Sequence, residues 1–222
     1  MRDITVLLPT YNNLRHLQQS IISLCKSTQT HFKLYILEAN CTDGTKEWLE
    51  TIENKPLGSC YLVKVFHKNT KSSIEALNYL IDQTKDEDLF LTQDDMFFHS
   101  IYQEDWLKVF NSIAGEESQG LITMLFGGGI SGPEYLNEQM WVGTWCMYIP
   151  RRTINIVGKF DEAMRIGEDV DYSYRVQKAG LILSQCKFWF EHHQQRSSPH
   201  QPQDEKTMQE ASLYFKKKHN LN

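Results

Sequence analysis

The sequence predicts an α/β fold with a mostly parallel central sheet flanked by helices, and three observations favour this class. Over about the first ninety residues, short apolar runs alternate with segments whose apolar residues have helical spacing. The runs are apolar on both faces, which is typical of parallel strands covered by helices on both sides. Polar loops follow three of the runs, at residues 9–13, 38–43 and 93–95. Because parallel strands end at the same edge of a sheet, we expect these loops to form one polar cleft.

The first half of the chain is predicted to alternate strand and helix. Strands are expected where β-rich runs end in turn residues, at 4–8, 32–37, 61–66 and 89–91. The intervening segments carry N-terminal helix signals. Asn12 or Asn13 can cap the first helix and Thr45 the second, while Ser72 and Ser73 open the third.

The second half is less regular. Strands are expected at 121–126, 141–149 and 181–190, and helices around Trp106 and at 153–157, 169–179 and 204–219. Gly180 follows the helix at 169–179 in the position where glycine commonly ends a helix. The three lysines at 216–218 suit the C-terminal dipole of the last helix, and we expect them to be solvated. They are fewer than the basic residues of a usual membrane-binding cluster.

Length and composition bound the class of protein. With 222 residues, of which 41% are hydrophobic, the chain is long enough for one well-filled domain. A net charge of −5 argues against a nucleic-acid partner, which would select a basic surface. The five cysteines have no C-x-x-C spacing, and no apolar run approaches the roughly 20 residues of a membrane span. We expect free thiols and a cytoplasmic location, with peripheral contact to a membrane left open.

Two pairs of adjacent acids stand out. Asp94 and Asp95 directly follow the fourth predicted strand, where burial is costly unless a cation neutralises them. A divalent metal with a phosphorylated substrate would do so, but a plain polar turn fits the position equally well. Glu168 and Asp169 begin a predicted helix, where acids are stabilised by the helix dipole whether or not they are catalytic.

Four motifs in a fixed order resemble a known family. They are LLPTYNN at 7–13, ILEANCTDGT at 36–45, LTQDD at 91–95 and GEDVDYSYR at 167–175, the last preceded by YIPRR at 148–152 and VGKFDE at 157–162. Together they resemble the inverting, family-2-type glycosyltransferases of the GT-A fold, over roughly residues 3 to 198. Thr92 and Glu38 stand where that family often has aspartate.

The resemblance implies one GT-A domain over residues 1–222, with a nucleotide-binding half at 1–98 and an acceptor-binding half at 99–222 that includes the C-terminal helix. It implies a metal-dependent, inverting enzyme that uses Mn²⁺ or Mg²⁺. The donor would be a UDP-, GDP- or dTDP-linked sugar. One sugar would pass to a glycan, a lipid-linked acceptor or a protein hydroxyl. A catalytically silent relative that only binds nucleotide or glycan is the alternative.

The resemblance also assigns roles to residues of this sequence. It implies that donor or sugar contacts come from Pro9, Thr10, Tyr11, Asn12, Glu38, Asp43, Lys71, Thr92, Gln93 and Asp95. Asp94 is the expected metal ligand. His193 is a second candidate ligand, with His192 as its alternative. Arg175 and Arg196 are alternative partners for the diphosphate.

On the acceptor side, the resemblance makes Asp169 the general base, with Glu168 as the nearest rival. A carboxylate opposite the leaving group can take the proton of the attacking hydroxyl and so invert the configuration. Trp145, with Trp141 and Tyr148, can stack on an acceptor sugar or belong to the core.

Overall fold

A mixed sheet with helices on both faces forms the centre of the computed structural model, which describes residues 2–99, 104–126, 141–164, 166–192 and 205–221. Its strands are β1 (Ile4–Thr10), β2 (Phe32–Glu38), β3 (Cys60–His67), β4 (Asp88–Thr92), β5 (Met96–Phe98), β6 (Gln119–Phe126), β7 (Cys146–Ile149) and β8 (Ile182–His192). Its helices are α1 (Leu14–Ser27), α2 (Thr45–Ile52), α3 (Ser73–Asp82), α4 (Trp106–Ile113), α5 (Arg151–Val157), α6 (Glu168–Lys178) and α7 (Glu205–His219).

The strand order across the sheet is β3-β2-β1-β4-β7-β6-β8-β5. Four of the seven pairings among these strands are parallel, which confirms the predicted fold class. The antiparallel pairings involve β7 and β5. Since β1, β2, β3 and β4 run in one direction, their carboxyl ends lie at one edge of the sheet.

Two apolar layers cover the sheet, as the two-faced strands predict. In β1, Val6 and Leu8 pack with α1, α2 and α4 on one face, while Leu7 packs with α3, α5 and α6 on the other. Both layers consist largely of side chains without solvent contact. This burial fixes the strand ends that carry the polar loops.

The element boundaries agree with most of the sequence predictions. Ser72 caps α3 by accepting a hydrogen bond from the Glu75 amide, and Gly180 ends α6 with a φ of 78°. Strand β5 was not predicted, because three residues are too few to show a periodicity. The strand expected at 141–149 begins only at Cys146.

Two predictions about helix ends are wrong. The N-cap of α2 is Gly44 in a left-handed conformation, and Thr45 is already helical. The basic end of α7 is not simply solvated, because Lys218 lies 2.7 Å from carboxylate oxygens of both Asp161 and Asp171. His219 Nε2 lies 2.8 Å from Asp171 Oδ1, so α7 is held on α6 through its last turn.

In the part of the chain that the structure describes, no helix has both the length and the apolar character that crossing a membrane requires. All five cysteines are free thiols, as their spacing predicts.

Candidate functional site

The loop after β1 is bonded to the loop after β2. The amide of Ala39 donates a hydrogen bond of 3.1 Å to the carbonyl of Thr10. The amide of Thr42 donates one of 2.7 Å to Oδ1 of Asn12. Asn12 adopts a left-handed conformation with a φ of 48°, which asparagine tolerates better than most residues. The two loops predicted to bind nucleotide therefore form one connected unit.

Asp43 strengthens this connection by capping two helices. Its Oδ2 accepts a 2.8 Å hydrogen bond from the Leu14 amide at the start of α1. Its Oδ1 accepts from the amide and the hydroxyl of Thr45 at the start of α2. Burial alone would raise the pKa of Asp43, but the hydrogen bonds from Thr45 and Leu14 outweigh it and lower the pKa. The carboxylate predicted to contact the donor therefore also positions the two loops.

Glu38 ends β2 with its carboxylate almost fully enclosed. One oxygen accepts a hydrogen bond from the Cys41 amide, and the other lies 2.8 Å from Nδ1 of His67 at the end of β3. Burial would raise the pKa of Glu38, but the bonds to His67 and Cys41 produce a net lowering. His67 was not predicted as a site residue, because only the strand register places it opposite Glu38.

Asp94 is held by the start of the chain. Its carboxylate accepts hydrogen bonds of 2.6 Å from the Thr10 hydroxyl and 2.8 Å from Nδ2 of Asn13. Burial raises the pKa of Asp94 from the ordinary 3.8 to about 6, against the effect of these two bonds and with a smaller contribution from the charge of Asp95. The acid that follows β4 is therefore expected to change its charge in mildly acidic solution, around pH 6.

Asp95 points toward different partners from Asp94. Its Oδ1 lies 3.2 Å from Nε2 of His192, whose ring stacks on the indole of Trp145 at a centroid distance of 6.0 Å. This oxygen is buried and makes no hydrogen bond to the described residues. The structure thus brings His192, the alternative to His193, next to the acid pair.

These residues suit a metal that is shared with a ligand. Within the described ranges, no three His, Cys, Asp or Glu side chains are grouped so that they could hold an ion by themselves. Mg²⁺ and related hard cations, however, commonly bind proteins through one or two carboxylates and the phosphates of a substrate. The buried, unbonded oxygen of Asp95 beside an imidazole nitrogen fits that kind of site.

The second acid pair begins α6. Gly167 precedes it as the N-cap, with a φ of 78°, and Asp169 is buried. Asp169 accepts a 2.8 Å hydrogen bond from the Val170 amide, and Thr144 donates a longer one of 3.5 Å to Glu168. Burial raises the pKa of both acids, and the charge of Glu168 raises that of Asp169 further. This is the setting of a carboxylate that binds protons readily.

Two consecutive residues before β7 connect the acid pairs. Thr144 contacts Glu168 at the start of α6, and Trp145 stacks on His192. His192 in turn lies beside Asp95. A continuous chain of contacts therefore runs from one pair of acids to the other, across residues that are far apart in the sequence.

The other residues predicted to bind the donor differ in exposure. Tyr11 follows β1 and is 37% exposed, whereas Pro9 is half-buried within the strand. Lys71 is exposed in the loop before α3, and its amide donates to the Glu75 carboxylate. All three residues lie at or near the carboxyl edge of the sheet, on the same side as Asp94.

The residues just before the first acid pair are more enclosed. Thr92 is buried in β4, and its hydroxyl makes no hydrogen bond in the described part of the chain. The carbonyl of Gln93 accepts a hydrogen bond from the Ser20 hydroxyl. The prediction for His193 lies outside the described residues, as does that for Arg196.

Two residues considered as alternatives are used within the fold. Arg175 donates to the Asp171 carboxylate at 2.8 Å and to the Val157 carbonyl at 2.9 Å. Tyr148 is fully buried, and its hydroxyl donates to the Asp88 carboxylate. Neither position points to a role in substrate binding.

Comparisons with known proteins identify the family and the fold. The family described as Glycosyl transferase family 2 matches residues 5–166, well over half of the chain. An uncharacterized glycosyltransferase of Rickettsia felis is 21% identical over 203 residues, which cover 81% of this chain and 32% of that protein. The chain thus spans about a third of the length of this curated relative.

Solved structures share the fold at low sequence identity. S. aureus TarS 1-349 in complex with UDP-GlcNAc has a TM-score of 0.68 and 16% identity, with 95% of this chain and 66% of that chain covered. The mannosyltransferase PcManGT from Pyrobaculum calidifontis, in complex with GDP-Man and Mn²⁺, has a TM-score of 0.65 and 14% identity, with 89% and 60% covered. With a GT-A architecture and a family match over residues 5–166, the chain belongs to glycosyl transferase family 2.

Proposed function

We propose that this glycosyltransferase is metal-dependent and inverting, and that it moves one sugar from a nucleotide diphosphate sugar to a hydroxyl group of an acceptor. The observation that carries the proposal is the contact chain through Thr144 and Trp145, which joins Glu168 to Asp95. Sugar transfer needs both a group that neutralises the leaving diphosphate and a base for the acceptor. The two acid pairs supply candidates for these tasks within one site.

The donor would lie over the edge formed by the loops after β1, β2 and β4. TarS in complex with UDP-GlcNAc and PcManGT in complex with GDP-Man and Mn²⁺ have the same fold, which supports a uridine or guanosine diphosphate sugar here. Asp94, Asp95 and His192 are the candidates from which one or two side chains would hold a divalent cation together with the diphosphate. Mn²⁺ or Mg²⁺ would act there as a Lewis acid that offsets the charge of the diphosphate.

Asp169 would take the proton of the acceptor hydroxyl. Its raised pKa makes it a better proton acceptor than an exposed aspartate, and burial keeps competing water away. The half-buried Trp145 offers an aromatic face beside His192, on which an acceptor sugar can stack.

Turnover of a donor panel tests the proposal. UDP-GlcNAc and GDP-mannose are incubated with the wild-type protein and Mn²⁺, and release of the nucleotide diphosphate is measured with and without EDTA. We expect the wild-type protein to release nucleotide diphosphate and EDTA to abolish this release. In Asp169→Asn the rate of release should fall at least about 100-fold, while nucleotide binding is retained. Asp82→Asn is the matched control, because Asp82 is exposed and forms an ion pair with Lys159 away from both acid pairs.

The outcomes separate the proposal from its alternatives. Nucleotide binding without turnover by the wild-type protein would support a catalytically silent relative. Full activity in Asp169→Asn would exclude Asp169 as the base. Retention of the donor's anomeric configuration in the product, read by NMR, would contradict an inverting reaction.

A further inference from the structure

Thr10, Glu38 and His67 form a row across three parallel strands. The register pairs Thr10 with Glu38 and Glu38 with His67, so the three residues share one face at the carboxyl edge of the sheet. Adjacent strands are about 4.8 Å apart, which places His67 about 10 Å from Thr10. Because Thr10 holds Asp94, the row leads from the acid pair toward the outer strand β3.

Glu38 is not available to a ligand in this row. It is 3% exposed, and both carboxylate oxygens are engaged, one by the Cys41 amide and one by His67. Each oxygen could accept a second hydrogen bond, but the carboxylate has almost no surface on which a nucleotide could approach it.

His67 is available where Glu38 is not. Its side chain is 42% exposed, and Nδ1 faces the Glu38 carboxylate at 2.8 Å. An ionised carboxylate only accepts hydrogen bonds, so in the neutral ring the proton stays on Nδ1 and Nε2 keeps its lone pair. No described residue bonds to Nε2, which is therefore a fixed acceptor at the outer end of the row.

We propose that His67 recognises the nucleobase of the donor, and that Glu38 is a positioning residue that sets the tautomer of His67. A fixed acceptor suits a base with a ring N–H, namely N3–H of uracil or thymine and N1–H of guanine. Cytosine and adenine present a ring nitrogen lone pair at the same place and are rejected. This inference rests on the proposed function, because it assumes that a nucleotide donor occupies the cleft.

Nucleotide selectivity tests the inference. Dissociation constants for UDP, GDP, CDP, ADP and inorganic pyrophosphate are measured calorimetrically with Mn²⁺ at pH 8. We expect UDP or GDP to bind at least about tenfold more tightly than CDP and ADP. In His67→Ala the affinities for UDP or GDP and for CDP and ADP should differ by no more than about threefold, and pyrophosphate binding should be unchanged. His31→Ala is the matched control, since His31 is exposed and follows α1 at the opposite edge of the sheet.

Glu38→Gln distinguishes positioning from a purely structural role. With its oxygen on the Cys41 amide, the glutamine would present its NH₂ group to Nδ1 and move the ring proton to Nε2. We expect the affinity for CDP relative to UDP to rise at least about tenfold, which a general loosening of the loop would not produce.

The failures are distinguishable. If the wild-type protein binds no nucleotide diphosphate, the proposed function is overturned. If it binds them selectively and His67→Ala keeps the wild-type selectivity, only the role of His67 is overturned. If Glu38→Gln weakened the binding of UDP and of CDP by the same factor, the positioning role of Glu38 would be overturned.

Discussion

The hydroxyl of Thr10 donates a 2.6 Å hydrogen bond to Oδ2 of Asp94, so the first strand holds the acid that follows the fourth strand. This bond favours the ionised form of Asp94, yet burial dominates and raises its pKa to about 6. A carboxyl group with this pKa is half protonated in mildly acidic solution. Its charge, and anything that depends on it, should change over the pH range in which enzymes are usually assayed.

Metal-dependent donor binding should weaken below pH 6. A carboxylate must lose its proton to bind a cation, so the affinity for UDP with Mn²⁺ should fall by up to tenfold per pH unit below about 6. Thr10→Val removes one bond to the ionised form and should move the midpoint upward by about one unit. Calorimetric titration between pH 5 and 8 measures both effects, and an affinity that stays constant over this range in both proteins would contradict the prediction.

The same group should affect the stability of the fold. Because the folded pKa of Asp94 is above its unfolded value, the folded protein binds more protons between pH 3.8 and about 6. The contribution of Asp94 to the free energy of unfolding is therefore full below pH 3.8 and is lost as the pH rises through about 6. In urea denaturation, the difference between wild type and Asp94→Asn should change by about 3 kcal/mol over this window. If the difference in the free energy of unfolding between the two proteins stayed constant with pH, the pKa of Asp94 would not be raised by folding.

Glu168→Gln should shift the acidic limb of the rate profile without abolishing transfer. The charge of Glu168 raises the pKa of Asp169, so its removal should lower that pKa and extend activity to lower pH. The measurement is kcat against pH, with Glu47→Gln, an exposed change on α2, as the control. If kcat fell about 100-fold in Glu168→Gln while Asp169→Asn stayed active, Glu168 would instead be the base.

Asp171→Asn should destabilise the protein substantially. Asp171 is fully buried and bound by Arg175, Lys218 and His219, which lower its pKa against the effect of burial. Removing one partner from buried ion pairs costs about 3–5 kcal/mol, because the remaining charges are left without compensation. Asp161→Asn, which affects a partly exposed pair with Lys218, should cost about 1 kcal/mol or less. Urea unfolding measures the loss of stability in each variant. Equal losses would contradict the prediction that the buried ion pairs of Asp171 matter more than the partly exposed pair of Asp161.

The sequence predicted the acids but not what holds them. Asp94 and Asp169 could be identified because each lies in a local motif at the end of a strand or the start of a helix. The bond between Thr10 and Asp94 spans 84 positions and depends on which strands are neighbours. Local patterns carry no information on that order.

The position of His192 was harder still to predict. It depends on β5, which has only three residues, and on the antiparallel pairing that sets Met96 opposite His192. The row that ends at His67 likewise follows from register, which a strand's own residues do not reveal. The role of Asp43 in joining the loops was missed for a different reason, since its bond to the Leu14 amide connects two loops that look independent in the sequence.

The bonds between the loops after β1 and β2 have a consequence for the thermodynamics of binding. They lie within the chain itself and run through Asn12, Thr42 and Asp43. A ligand that enters such a cleft does not have to order a mobile segment, so little conformational entropy of the chain is lost on association. Differences in affinity among nucleotides should then appear mainly as differences in binding enthalpy.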